Sequence, residues 1–180
     1  MPHLKFAHIE YSISTKSLDL FTIGCGKGIT NLNCEEYDGC KDCCNPEIRD
    51  WNVEGFGIPQ VIAKVYQLNA KFNKLIDRIL IVGGDPADAY FRYKDEMTEF
   101  LRQLRTVGKP LYLFTRHELP SIPRDLLELV DYVKTGAYIP ELKCDDNTQM
   151  GIRLATSNQK IFKVSDILQG EENESYEICK

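Results

Sequence analysis

A short β-branched run that stops at a glycine turn constrains this chain more than any other feature. Arg78-Ile79-Leu80-Ile81-Val82 is apolar after its first residue, the pattern of a strand covered on both faces, and Gly83-Gly84-Asp85-Pro86 ends it. Before it, Ile58, Val61, Ile62, Val65, Leu68, Phe72 and Leu75 recur at three- and four-residue steps, the apolar stripe of a helix. After it, residues 92–107 carry Met97, Phe100, Leu101 and Leu104 on one helical side. Gly108-Lys109-Pro110 breaks that pattern and Leu111-Tyr112-Leu113-Phe114-Thr115 supplies another strand. A shorter helix over 124–129 and a strand over 130–134 follow. Strands alternating with helices need right-handed crossovers, so the chain reads as an α/β single domain with a mainly parallel sheet.

The first 24 residues read as strand material. Residues 4–11 alternate, and Leu18-Asp19-Leu20-Phe21-Thr22-Ile23 is a short run ending at Gly24-Cys25. Residues 26–55 show no period and are rich in Gly, Asn, Asp and Cys, a long loop of the kind that carries function. Ligands gather outside the carboxyl ends of parallel strands. The cysteine loop 25–55, the Gly83-Gly84-Asp85-Pro86 turn and Thr115-Arg116 all fall there and are expected to converge. One domain over 1–170 and a polar, acidic tail over 171–180 complete the organisation.

Composition excludes some functions. With 43% hydrophobic residues in a chain of 180, the core needs no disulfide or metal merely to fold. A net charge of −5 disfavours a nucleic-acid partner, which needs clustered Lys and Arg. No apolar run approaches the roughly 20 residues of a membrane helix. The first residues lack the apolar stretch of a secretory signal, so a cytoplasmic protein is expected.

Seven cysteines in such a chain need a reason. Cys34, Cys40, Cys43 and Cys44 fall close together, with Cys25 upstream; Cys144 and Cys179 stand alone and read as incidental. A reducing compartment and an odd count argue against a disulfide framework. The spacing Cys40-Lys41-Asp42-Cys43 by itself admits a redox dithiol, half of a zinc site, or part of an iron–sulfur site. Buried thiols acting as small hydrophobes fit badly among Asn, Glu, Asp, Gly and Lys.

Several motifs carry a family resemblance over residues 18–163. Phe21-Thr22-Ile23-Gly24-Cys25, followed by Gly39-Cys40-Lys41-Asp42-Cys43-Cys44-Asn45-Pro46-Glu47, resembles the cluster loop of radical S-adenosylmethionine enzymes. It is most similar to the activating proteins of anaerobic ribonucleotide reductase. Ile81-Val82-Gly83-Gly84-Asp85-Pro86, Leu113-Phe114-Thr115, Gly136-Ala137-Tyr138 and Thr156-Ser157-Asn158-Gln159 resemble further elements in the same order. The resemblance implies an incomplete (β/α) barrel of the radical S-adenosylmethionine type. It implies a 4Fe–4S cluster held by Cys25, Cys40 and Cys43, with Cys34 as the alternative to Cys25. It also implies S-adenosylmethionine bound near Gly83, Gly84, Asp85, Thr115, Asn45 and Asn158, with Asp85 as an anion for the cofactor's ammonium. The implied activity is reductive cleavage of that cofactor to a 5′-deoxyadenosyl radical, which leaves a glycyl radical on the catalytic subunit of anaerobic ribonucleotide reductase. The electron donor would be reduced flavodoxin or ferredoxin.

Three features depart from the pattern. Fourteen residues separate Cys25 from Cys40 where the activases have three. Cys44 replaces an aromatic residue, and Thr135 and Ala137 replace Asp and Lys. The long gap resembles that of some 7-carboxy-7-deazaguanine synthases, small-molecule enzymes of the same superfamily, and the crowded thiols alone also suit a zinc-binding interaction module. Arg116 is expected to contribute charge near the site, and His117 reads as a surface residue.

Overall fold

The computed structural model describes residues 3–26 and 40–177. β1 (Phe6–Ser12) and β2 (Ser17–Thr22) form an antiparallel hairpin, and α1 (Ile58–Phe72) then leads to β3 (Arg78–Gly83). Next come α2 (Pro86–Arg92), α3 (Lys94–Arg105), β4 (Leu111–Phe114), α4 (Arg124–Leu127) and β5 (Tyr132–Thr135). The small pair β6 (Thr148–Gln149) and β7 (Ile152–Arg153), the strand β8 (Lys160–Lys163) and α5 (Val164–Glu177) finish the chain. The six-stranded sheet runs β1-β2-β3-β4-β5-β8. Its three central pairings are parallel and its two outer pairings antiparallel. The α/β domain and mainly parallel sheet expected from the sequence are therefore present.

Side-chain alternation divides this sheet between two cores. Leu18, Leu20, Ile79, Ile81, Leu111, Leu113 and Val133 pack with the helical residues Val61, Val65, Met97, Phe100, Leu101 and Leu104. The intervening positions Leu80, Tyr112 and Tyr132 face the other way and pack with Ile152, Leu154 and Ile161. β3 and β4 are apolar on both sides because one face meets helices and the other meets Ile152, Leu154 and Ile161. That is why Arg78-Ile79-Leu80-Ile81-Val82 shows no alternation.

The helical segment after β3 differs from expectation. The helix expected over 92–107 is α3, but a further helix, α2, precedes it, the two being separated at Tyr93, whose φ of −131° is not helical. In α2, Pro86, Ala87, Asp88, Ala89 and Tyr90 are all buried, so the segment has no polar face and shows no amphipathic period to read. The backbone of α5 runs to Glu177, into the segment read as a polar tail. Among the described residues, no helix is long and apolar enough to cross a membrane.

One charged residue sits awkwardly in the sheet. Asp19 lies directly opposite Glu10 in the β1–β2 register, and like charges facing each other across strands are destabilising. Burial pushes the Asp19 carboxyl above its usual range and Glu10 adds to this, while the hydroxyl of Ser17, donating to Asp19 Oδ1 at 2.5 Å, works the other way. A carboxyl raised on folding costs stability as it ionises, so the cost is present at neutral pH and absent below the ordinary carboxyl pKa. Asp19→Asn is expected to raise the Tm at pH 7, with the gain disappearing by about pH 3. Melting curves at the two pH values check this; an equal gain at both would show that charge is not the cause.

Candidate metal and cofactor site at the strand ends

The cysteine loop closes on itself through its backbone. Gly24 N donates to Ile48 O at 2.8 Å and Cys25 N donates to Arg49 O at 3.0 Å. Residues 24–25, at the exit of β2, are therefore paired with the segment just beyond Cys43, Cys44 and Asn45. This closure holds whatever path the chain takes between Cys25 and Cys40. Cys34 and most of the insertion lie outside the described residues.

A second closure ties this loop to the turn after β3. Gly84 N donates to Thr22 O and Asp85 N donates to Gly24 O, both at 2.8 Å. The approach is close: a Cβ on Gly84 would stand 2.2 Å from Gly24 O, and one on Gly24 would stand 2.0 Å from the Trp51 ring. Gly24 also has a φ of +99°, the region that favours glycine. Trp51 thus covers the outer side of Gly24, with the Arg92 guanidinium 4.9 Å from its ring centroid.

These closures leave a cavity of about 470 Å³ at the carboxyl ends of the strands. Cys25, Cys40, Cys43, Cys44 and Asn45 line one side, and Gly83, Gly84, Asp85, Thr115 and Arg116 another. Its sheet wall is Val82, Phe114 and Lys134, successive strands' residues on the face opposite the main helical core. The cysteine loop, the Gly83-Gly84 turn and Thr115-Arg116 thus converge as the topology led us to expect. Tyr138 and Gln159, from two of the later motifs, complete the wall, whereas Lys134 was not singled out from the sequence.

The polar side chains are mostly committed. Asp85 caps α2, accepting from Ala87 N at 2.9 Å and Asp88 N at 3.3 Å. It also accepts from Thr115 Oγ1 at 2.8 Å and from Arg116 N at 2.9 Å. Asp85 and Thr115, two of the expected cofactor ligands, therefore line the cavity while bonded to each other. Asn158 Nδ2 donates to Ala137 O at 2.9 Å, joining the exit of β5 to the approach of β8, and its neighbour Gln159 lines the cavity. Asn45 donates through its backbone N to Cys43 Sγ at 3.4 Å and through Nδ2 to Cys44 Sγ at 3.5 Å.

Below Cys25 lies a buried ionic group. Asp88 accepts from Gly26 N at 2.7 Å, from Arg116 Nη2 at 3.0 and 3.1 Å, and shares a 2.6 Å bond with His117 Nε2. An ionised carboxylate only accepts, so Nε2 carries the proton. His117 is thus buried, contrary to the surface position read from sequence; an ionisable ring next to Arg116 gave no apolar pattern from which burial could be inferred. Burial opposes ionisation of Asp88, but the His117 bond and the Arg116 charge hold its pKa below the usual range. Asp85, Asp88 and His117 bring ligand atoms within 4.8 Å of one another. Their acceptor positions are already occupied by backbone N–H groups, Thr115 and Arg116, so the group is a hydrogen-bonded charge cluster, not a cation cage.

The thiols are the candidate metal donors of the cavity. A single zinc bound at about 2.3 Å in a tetrahedron needs sulfurs roughly 3.8 Å apart. Among the described residues no three thiols come within 4.8 Å of one another. Cys25, Cys40, Cys43 and Cys44 bring sulfur donors to one cavity, the donor type that iron–sulfur clusters and zinc both take. Burial, with Asp85 and Asp88 nearby, pushes the Cys25 thiol up to about 12, against the pull of Arg116. A thiolate at Cys25 is therefore favoured only where further positive charge sits beside it.

Gly84→Ala is expected to force residue 84 and Gly24 apart and to cost about 1–3 kcal/mol of stability. Gly57→Ala, where a Cβ meets only ordinary contacts of 3.7 and 3.8 Å, serves as the control. Thermal melts of both variants check this, and an equal Tm would refute the close approach. Compared with known proteins, the chain matches no family model and no curated sequence.

Proposed function

We propose that this protein is a radical S-adenosylmethionine activase that installs a glycyl radical on an anaerobic ribonucleotide reductase. The observation that carries the reading is the meeting of Cys25, Cys40 and Cys43 with the Gly83-Gly84 turn around one cavity at the ends of parallel strands. A parallel sheet whose strands follow chain order also suits an incomplete (β/α) barrel. In this reading Cys25, Cys40 and Cys43 hold a 4Fe–4S cluster, and one iron is left to S-adenosylmethionine. When bound, these groups supply one-electron cleavage of the sulfonium–carbon bond to methionine and a 5′-deoxyadenosyl radical that takes hydrogen from a glycine of the reductase.

The chain's own residues bind, orient and exclude water. Gly83 and Gly84 present bare backbone to the cavity, and having no side chain lets their turn lie against Thr22 and Gly24. Asp85 and Thr115 hold that turn in shape through their mutual bonds. Lys134 adds a cation at the sheet wall, and Phe114 and Val82 an apolar surface for a heterocycle. A flavodoxin- or ferredoxin-class protein is the proposed electron source, and the partner's glycine loop the substrate.

Cys44 favours a second reading. It adds a fourth thiol to the same cavity, the number a closed zinc site takes, and so a zinc-binding interaction module is the rival. One anaerobic experiment separates them: reconstitution with iron and sulfide, reduction, addition of S-adenosylmethionine, and quantification of 5′-deoxyadenosine. The activase reading expects the product from the wild type, its loss in Cys25→Ala, Cys40→Ala and Cys43→Ala, and its retention in Cys34→Ala and Cys44→Ala. One equivalent of zinc, no sulfide and no product would overturn it. Appearance of a glycyl-radical signal on added reductase checks the second half of the claim.

A further inference from the structure

Asp88 and Arg116 serve no obvious end in folding. Asp85 already caps α2, so the helix does not need a second carboxylate. Asp88 is completely buried, and its ion pair with Arg116 at 3.0 Å is of a kind that apolar residues replace at little cost to stability. What the group does instead is grip the start of the cysteine loop. Asp88 holds Gly26 N, the residue after Cys25, and Arg116, bonded to the same carboxylate, lines the cavity beside Cys25.

The charges in this frame are few and closely set. Asp88 is ionised, Asp85 lies beside it, and Arg116 is the cation placed among both carboxylates and Cys25. Burial works against that cation, but Asp88 and Asp85 outweigh it and hold Arg116 firmly protonated. We propose that Arg116, anchored by Asp88, is a positioning residue that sets the electrostatic field at Cys25 and thereby the reduction potential of the cluster bound there. The inference rests on the activase reading given above. Hydrogen bonds and charge beside ligating sulfurs are established determinants of such potentials.

The direction follows from charge balance. Reduction adds one electron to the cluster, supplied in the test by dithionite, so a nearby cation favours the reduced form and a nearby anion disfavours it. Neutralising Arg116 removes the guanidinium charge set between the two carboxylates and Cys25 while His117 keeps its bond to Asp88, and neutralising Asp88 removes one of the carboxylate charges. The two substitutions must therefore act in opposite senses. Loosening of the loop would have no reason to do so.

The experiment is a redox titration followed by electron paramagnetic resonance on anaerobically reconstituted wild type, Arg116→Gln, Arg116→Lys and Asp88→Asn, with iron and sulfide counted in each. Arg116→Gln is expected to shift the midpoint to more negative potential and Asp88→Asn to more positive potential. Arg116→Lys, which keeps the charge, should lie between Arg116→Gln and the wild type. Intact clusters with unmoved midpoints, or with both neutral variants shifted the same way, would overturn the inference and leave the activase reading standing. A wild type that takes up no cluster would overturn both. Should Arg116→Gln fail to fold, Asp88→Asn and Arg116→Lys still decide the sign.

Discussion

The carboxylate of Asp85 is the junction on which the site depends. It accepts from two backbone N–H groups at the start of α2, from the hydroxyl of Thr115 and from Arg116 N, and it is almost fully buried. Its own N–H donates to Gly24 O. One residue therefore ties together the exits of β2, β3 and β4 and the first turn of α2. Burial and the nearby Asp88 charge push its pKa up, while His117 and Arg116 pull the other way. Each donor that Asp85 satisfies would cost about 1–3 kcal/mol if it were left buried and unpaired. The turn is thus held by polar bonds, and the backbone of Gly83 and Gly84 is left bare toward the cavity.

Much of the architecture was legible because burial writes a period into the sequence. The stripe from Ile58 to Leu75 became α1 and a short turn beyond it, and the apolar runs at 78–82 and 111–115 became β3 and β4. The convergence of the cysteine loop with Gly83-Gly84 and Thr115 followed from topology, since parallel strands end on one side. Buried polar residues were not legible. Asp88, Arg116 and His117 owe their burial to one another, and a sequence carries no signal that an Asp in one helix meets a His and an Arg 28 to 29 residues later. Asp85, which the resemblance implied as an anion for the cofactor, caps α2 at the cavity edge.

The loop closure explains why spacing alone was a poor guide to the cysteines. A short gap between two ligands fixes their separation through the chain itself. Here the separation of Cys25 from Cys40 is set elsewhere, by the pairing of Gly24 and Cys25 with Ile48 and Arg49. Lengthening the intervening segment then costs only loop-closure entropy, which grows slowly with length. An expanded gap is for that reason compatible with an unchanged disposition of Cys25, Cys40 and Cys43.

The chain is acidic as a whole, but its cavity is not. Arg49, Arg116, Lys134 and Lys143 line it against Asp42 and Asp85, in a protein of net charge −5. Lys134 shows what this arrangement costs. Burial lowers its pKa to about 8, with Asp85, Cys40 and Cys44 resisting that fall, and its ammonium donates to Gly136 O at 2.7 Å. At neutral pH it remains mostly charged, opposite the thiols. A buried cation kept charged at such cost is of little use to a wall of neutral thiols. It is of use when those sulfurs are thiolates on a metal group or when an anionic ligand sits between them and the sheet, because either supplies the negative charge that the cavity lacks.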